Sequence, residues 1–448
     1  MALTGIDIFK LLPKTNCQEC GVPTCLAFAM KLAAGQAELS SCPHLSDDAK
    51  AALGEASAPP IRLVTMGSGD DAFKAGGELV MFRHDKTFFN PCGYALLIDD
   101  TSGASEIDGK LKQVNESHFV RVEQDLKADM VAVKCSSGKP EIFVEIIEKV
   151  KAATSLPLIL MSDNPEVIHA GLAVNGEAPL IYGANKDNYE KMADLAKTHK
   201  TALAVISDNG IDGLNDLVPK IEALGVKDLV LDPGYRNPKE TLQSLVYMRR
   251  GALVKKIKAF GYPTIAFPVE ETSDEMMETL LAGLYTCKYG SIIVVGNLKP
   301  QYALPLYVLR QNIYTDPQRP MQVKQGIYPI GTPNENSPVL VTTNFSLTYF
   351  IVTGEVEGSR VPAWMLIQDV EGLSVMTAWA AGKFVPEKIA PFIKGSGIEE
   401  KVKHRKLVIP GYLSQMSGEL DDELEGWKVE VGPREAADLP AFLKAWSA

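Results

Sequence analysis

The sequence has no excess of positive charge. Lysine and arginine number 45 against 56 acidic residues, giving a net charge of −11. An acidic chain has no general attraction for DNA, RNA or anionic lipid, so no nucleic-acid or membrane partner is expected. No apolar run approaches the roughly 18 residues that a membrane-spanning helix requires. The opening, MALTGIDIFKLLPKTN, has no basic leader, carries Asp7 and has only a short apolar stretch, so a cytoplasmic location is expected. There is no G-x-x-x-x-G-K-[ST] phosphate loop. Histidine is scarce, at six residues, and cysteine nearly so, at seven. In a reducing compartment those cysteines are not expected to form disulfides.

What is present is globular: 46% of residues are hydrophobic and 23% charged, on a chain long enough for two to four domains at about 100 to 200 residues each. Three segments can be read. The first, 1–57, ends in a small-residue and proline linker, Gly54 to Pro60. Inside it GIDIFKLLP has helical spacing, and CLAFAMKLAAG is a helix stopped by Gly35. The second, 61–315, repeats short β-branched runs at 94–100, 129–135, 157–163, 179–185, 202–208, 228–234, 264–269 and 291–297, with helix-like stretches such as 139–154 and 188–200 between them. These runs are too uniformly apolar for one-sided antiparallel strands, which alternate; buried parallel strands fit. Eight βα units predict a TIM (β/α)8 barrel, of about 250 residues, over a doubly wound sheet. IRLVTMG and GELVMF are expected to pair as a hairpin closing one barrel end, and the G-x-G of GSGDDAFKAGG is then a turn between strands. A proline-rich connection, 314–338, leads to the third segment, 325–448, where strand, loop and helix recur about four times. That pattern predicts a small doubly wound α/β (Rossmann-like) domain with ligands at the loops after its strands. Hinges are expected at the two proline-bearing connections, 57–60 and 314–338.

Four cysteines sit in the first segment with spacing C-x2-C-x4-C-x16-C: Cys17, Cys20, Cys25 and Cys42. Reduced thiolates in such a set bind zinc or an iron–sulfur cluster. Zinc sites commonly pair two separated knuckles, whereas here one knuckle, a third cysteine at a helix start and a lone Cys42 before Pro43 favour [4Fe–4S]. Zinc and plain structural thiols stay open as alternatives. Cys92, Cys135 and Cys287 are scattered; Cys135 and Cys287 fall in or near predicted core elements and read as buried structural thiols.

The motif FKLLPKTNCQECGVPTCLAFAMKLAAGQ, the barrel-like middle and the C-terminal α/β module together resemble the large subunit family of corrinoid iron–sulfur proteins of the reductive acetyl-CoA pathway. The resemblance runs over the whole chain in the same domain order. It implies a [4Fe–4S] domain, a barrel and a cobamide-binding C-terminal domain, in a heterodimer with a smaller barrel subunit. It implies a methyl carrier: Co(I) takes a methyl group from methyltetrahydrofolate through a methyltransferase and passes it, as methyl-Co(III), to acetyl-CoA synthase. The cluster, fed by a low-potential electron donor or reductive activator, returns oxidised Co(II) to Co(I).

Many B12 domains supply an axial histidine from a D-x-H-x-x-G loop. None of His44, His84, His118, His169, His199 and His404 has aspartate two residues before it. Only His404 lies in the third segment, in the charged run EEKVKHRK, which reads as a solvated face. A cobamide is therefore expected to bind without a protein histidine on cobalt, which eases reduction of the metal. The candidate cobamide contacts are Thr342, Thr343, Asn344 and Ser346 in the first loop, Asp369, Gly372, Leu373 and Ser374 in the second, and Gly411, Gly432 and Pro433 in the last two. Against this stands the plain reading that they form ordinary strand-to-helix turns and caps. Asp99, Asp100, Asp163, Asp208 and Asp232 fall at barrel strand ends, where barrel enzymes keep their catalytic groups; a pterin-dependent barrel methyltransferase with an appended electron-transfer domain is the alternative. No catalytic residue is assigned.

Overall fold

A computed structural model describes residues 5–33, 37, 41–46, 49, 59–122, 124–317 and 320–447. The expected boundary at residue 57, and the linker up to Ala58, lie outside the described residues. The chain divides into two compact units. Met1–Met81, Phe88–Ser117 and Ala128–Arg310 form one; Phe82–Thr87, His118–Lys127 and Gln311–Ala448 form the other.

The first unit holds a closed barrel. Its strands are β3 (Gly93–Asp99), β6 (Met130–Lys134), β7 (Leu158–Met161), β8 (Leu180–Ala184), β9 (Ala202–Ile206), β10 (Leu229–Asp232), β11 (Ile265–Ala266) and β12 (Ile292–Val295). Each pairs in parallel with its successor in that series, and β12 returns to pair with β3. Between β10 and β11 the ladder thins to a single parallel bridge, Leu231 to Thr264. Seven of the eight strands fall inside the runs read from the sequence and β3 starts one residue before its run, because a strand covered on both faces must be apolar throughout. Alternate side chains, among them Leu97, Ala132, Ile159, Leu180, Ala204, Val230 and Val294, fill the interior as a packed core. A hairpin of β1 (Val64–Met66) and β2 (Phe73–Ala75) joins that core. The second arm of this hairpin is Phe73–Ala75, not GELVMF as expected: Phe73 and Ala75 supply the apolar in-facing pair, and a side chain on Gly93 would meet the Phe73 ring at 2.5 Å. The barrel strand starts with glycine because the hairpin's phenylalanine lies against its backbone.

Before the barrel, helices Gly5–Leu11 and Cys25–Ala33 share a small core of Ile8, Leu12, Val22, Phe28 and Leu45.

The second unit is built on a five-stranded sheet in the order β13 (Gly326–Ile330), β15 (Ala363–Gln368), β14 (Val339–Thr343), β16 (Lys406–Ile409), β17 (Lys428–Val431). The last four run parallel; β13 is antiparallel to β15. Each face has its own apolar core, one around Leu366, Phe384 and Leu407, the other around Met365, Val408 and Leu443. The order reverses at β14, which places the switch point of the sheet between β14 and β16. The stretch 314–338 is thus not a bare connection. It carries the edge strand β13, whose Pro329 is tolerated because an edge strand leaves one side of its backbone unpaired, and its Val323 N–H donates to Asn344 O at 2.9 Å.

Candidate functional site

The cysteine loop is the first candidate. Cys25 opens its helix, where the Thr24 hydroxyl caps the first turn by accepting the Ala27 N–H at 3.1 Å. Asn16 grips the same turn: its side-chain oxygen accepts the Cys25 N–H at 2.8 Å, and its own N–H points at Cys25 Sγ at 3.4 Å. Lys14, Asn16 and Gln18 adopt left-handed backbone (φ 59°, 51° and 65°), as does Gly21. Such alternation turns backbone N–H groups into a concavity for anionic sulfur, as at many iron–sulfur sites. Cys25 and Cys42 are buried in the small core and Cys20 packs against it; Cys17 is exposed. A Cys17 sulfur, a Glu19 oxygen and a His44 nitrogen lie within 4.8 Å of one another, with His44 Nε2 at 3.1 Å from Glu19. The donor set, several soft thiols with an inward N–H, fits an iron–sulfur cluster.

The barrel mouth is the second candidate. Asp232 ends β10 fully buried. It accepts the Tyr182 hydroxyl (2.6 Å) and the Arg236 guanidinium (2.8 Å). Arg236 also donates to Glu270 (2.5 Å), to which Lys134 adds a second donor (2.7 Å), and it lies 4.5 Å over the Phe267 ring. Burial works against charge on Arg236, but the Asp232 carboxylate, the Tyr182 hydroxyl and Glu270 together outweigh it and the guanidinium stays firmly protonated. Burial opposes charge on Glu270 as well, yet Lys134 and Arg236 hold it below the usual carboxylate range. Asp99 and Asp100 each accept a serine hydroxyl, of Ser136 and Ser137 respectively, at 2.5 Å, and Asp208 pairs with Lys186 on the surface. Of the five strand-end aspartates, Asp163 has only its backbone oxygen engaged among the contacts described, by Asn188.

The third candidate is a cavity of about 220 Å³ in the second unit, at the C-terminal ends of β14 and β16. Leu340, Val341, Met365 and Val408 form its apolar floor, and Thr348, Ile351 and Val352 of helix Ser346–Ser359 form one wall. Thr342 lines it with a buried hydroxyl that has no partner among the described residues; an unmet buried hydroxyl costs about 1 to 3 kcal/mol, which a ligand group would relieve. Arg434 adds a cation to the lining, set 5.9 Å over the Tyr412 ring.

Of the sequence-read contacts, Thr342, Gly432 and Pro433 line this cavity. Gly411 shapes it from behind: a side chain there would run into Gly432 O and lie 2.6 Å from Pro433 C, so only glycine lets the two strand ends approach so closely. Asn344, Asp369 and Gly372 do not line it; they form a latch. Asn344 Oδ1 accepts the Val370 and Gly372 N–H groups (3.1 and 3.0 Å), and its Nδ2 donates to Asp369 at 2.9 Å. Ser374 shares a hydrogen bond with Thr377 at 2.9 Å. Thr343 is buried with a hydroxyl unpartnered among the described residues, Ser346 is buried and Leu373 packs on the core, all apart from the lining. Sequence reading assigned no contact to Thr348, Met376 or Tyr412, and took Arg434 only as part of the loop after the last strand; nothing local marks a helix face as a wall.

His404 is not on a solvated face. It is half-buried, its Nδ1 accepts the Lys406 N–H (3.2 Å), and its Nε2 therefore carries the proton and donates to Ser337 O at 2.9 Å. Both ring nitrogens are engaged, and among the described residues no histidine lines the cavity. Cys135 and Cys287 are only half-buried, whereas Cys92 is fully buried and its thiol is pushed up to about 11 by burial.

A barrel, a thiol-rich helical module and an α/β sheet with a cavity at its switch point define a multidomain cofactor-carrying protein. Residues 63–443 match the family described as CO dehydrogenase/acetyl-CoA synthase delta subunit, and residues 12–44 match a putative Fe-S cluster family. The corrinoid/iron-sulfur protein large subunit of Moorella thermoacetica is 45% identical over 99% of both chains. The acetyl-CoA decarbonylase/synthase complex subunit gamma of Methanopyrus kandleri is 38% identical, over 99% of this chain and 97% of that one. A dihydropteroate synthase from Thermus thermophilus superposes on 56% of this chain and 100% of its own with a TM-score of 0.39 at 15% identity, too weak a likeness to carry an argument. The chain belongs to the family of corrinoid/iron–sulfur protein large subunits and their decarbonylase/synthase gamma counterparts. Among the described residues no helix is long and apolar enough to cross a membrane.

Proposed function

We propose that this chain is the corrinoid- and cluster-bearing subunit of a methyl carrier in acetyl-CoA metabolism. The observation that carries the reading is the pairing, in one chain, of a four-thiol loop with an α/β cavity that has no imidazole among its described lining residues. On this reading residues 1–57 hold a [4Fe–4S] cluster through Cys17, Cys20, Cys25 and Cys42, residues 61–315 form the barrel, and residues 325–448 hold a cobamide without a histidine ligand. When bound, the cobamide supplies a low-valent cobalt nucleophile for methyl transfer and the cluster supplies low-potential electrons for its reactivation. The chain's own residues set the stage. Thr342 offers the buried hydroxyl, Arg434 the rim charge, Gly411 and Gly432 the close backbone, and the Asn344 latch fixes the loop that carries Val375 and Met376 into the lining. Because His404 spends both ring nitrogens on the fold, it has no lone pair for cobalt. The partners are a small corrinoid subunit, a methyltetrahydrofolate:corrinoid methyltransferase, acetyl-CoA synthase and a low-potential reductant, all in the cytoplasm.

The test is metal and corrinoid analysis of the heterodimer, produced anaerobically with added cobamide. About four irons per chain, as a cubane requires, and about one cobalt are expected. Absence of cobalt sinks the cobamide reading, and zinc in place of iron sinks the cluster. Cys20→Ala is expected to leave methyl transfer from pre-reduced protein intact and to block reductive reactivation; loss of both refutes the relay role.

A further inference from the structure

Residues 118–127 lie in sequence between the first and second barrel strands, yet they belong to the second unit. They form a two-stranded hairpin, β4 (Phe119–Arg121) with β5 (Gln124–Leu126), paired only with itself among the described residues: Phe119 opposite Leu126, Arg121 opposite Gln124. An isolated two-stranded hairpin is marginal in water, so its order must come from what it touches. Val122 packs against the second unit's core of Met365, Val408 and Leu443. The Arg121 guanidinium lies 5.2 Å over the Phe350 ring, donates to Gln311 Oε1, and reaches Met321 Sδ at 3.9 Å. Gln311, itself buried, closes the clamp from the other side, donating to Arg121 O at 3.0 Å and to Gln124 Oε1 at 2.9 Å. Phe350, Met321 and the core under Val122 lie well inside the second unit, while Gln311 is its first residue on helix Pro300–Tyr314. Phe350 sits on helix Ser346–Ser359, whose Thr348, Ile351 and Val352 wall the cavity.

We infer that residues 118–122 and 124–127 are a strap of the C-terminal unit: they fold and open with its sheet, fastened by Arg121, and not with the barrel strands that flank them in sequence. The chain crosses between the units at 81–82, 87–88, 117–118, 127–128 and 310–311. The last of these crossings falls inside helix Pro300–Tyr314, and the proline-rich 314–338, tied down by β13 and by the Val323 bond to Asn344, moves as part of the unit. The inference rests on contacts within the C-terminal unit and holds whatever the cavity binds.

The experiment is hydrogen exchange of the intact heterodimer in rising urea, read by mass spectrometry over peptides covering β3, the strap, β6 and β14 to β15. Amides of the strap are expected to open with the denaturant dependence of β14 and β15 and to differ from β3 and β6. Arg121→Ala removes a charge-assisted hydrogen bond and a ring contact, and is expected to speed strap exchange about tenfold or more while β3 and β6 stay as in the wild type. Arg121→Lys, which keeps the charge over Phe350 but not the fork, is expected to fall between the two, and it serves if the alanine variant loosens the whole unit. Strap amides that open with β3 and β6, or that keep wild-type protection in Arg121→Ala, overturn the inference.

Discussion

The two units each present the C-terminal ends of parallel strands, the edge where α/β proteins place ligands, and they treat it in opposite ways. In the barrel the largest polar group there is used up on itself, although the buried Asn297 Oδ1 beyond β12 has no partner among the described residues. Tyr182, Asp232, Arg236, Glu270 and Lys134 form one chain of hydrogen bonds and ion pairs that ends in a ring contact with Phe267. In the C-terminal sheet the corresponding edge is an apolar cavity with an unmet hydroxyl on its wall and a cation at its rim. Polar residues at strand ends are therefore no guide to a ligand site by themselves. What matters is whether their hydrogen-bonding capacity is already consumed, because a satisfied buried network loses energy when a ligand disturbs it, while an unmet group gains.

The sharpest way to break this contrast is Asp232→Ala. It takes from Arg236 one of its two carboxylates, leaving Glu270, and strips the Tyr182 hydroxyl of its acceptor, so the barrel is expected to lose about 2 to 3 kcal/mol, read as a shift in the urea midpoint, with cobamide affinity unchanged. Destabilisation below about 1 kcal/mol shows that the network is ornamental. Gly411→Ala comes next. The added carbon meets three backbone atoms of the 432–434 segment and cannot be relieved by rotating a side chain, so a loss of about 1 to 3 kcal/mol in the C-terminal unit is expected, together with weaker cobamide binding. Thr342→Val keeps the shape and deletes the unmet hydroxyl. The apo protein is expected to be as stable as the wild type or more so by about 1 kcal/mol, while cobamide affinity falls by about tenfold; a fall in apo stability instead shows that the hydroxyl already has a partner. The smallest effect is on pH. Glu270 has its carboxyl lowered in the folded barrel from an ordinary value of 4.5, so its contribution to stability is present above that value and is lost as the pH falls through the lowered one. Glu270→Gln is expected to flatten that part of the acid-unfolding profile and leave the profile above pH 6, roughly two units clear of the carboxylate range, unchanged.

Much of this was legible in the chain. All eight barrel strands could be read because double burial forces an unbroken apolar run, a signal carried by four or five adjacent residues. Cys17, Cys20, Cys25 and Cys42 were picked out by spacing as a candidate ligand set, and the loops after β14, β15, β16 and β17 were placed by the strand–turn–helix rhythm. The misreadings share a cause. GELVMF is as apolar as Phe73–Ala75, and only the fit of Phe73 against Gly93 selects the latter. Pro329 hid β13, since proline argues against a strand until the strand is known to be an edge. Asn344, Asp369 and Gly372 were rightly placed at a strand-end loop, but which of them faces a cavity and which ties the loop depends on hydrogen bonds across 25 or more residues.

By itself the sequence determined the number and order of the barrel strands, the thiol set, and the absence of an aspartate–histidine motif, because each is written in neighbouring residues. The tertiary structure alone decided that His404 is pinned at both nitrogens, that the Asp232–Arg236 network at the barrel mouth is satisfied, that the Thr342 hydroxyl is not, and that the hairpin of β4 and β5, a two-stranded sheet of its own, is clamped by residues some 200 positions further along the chain. Those outcomes depend on which donors meet which acceptors once distant segments pack, and no local pattern encodes that.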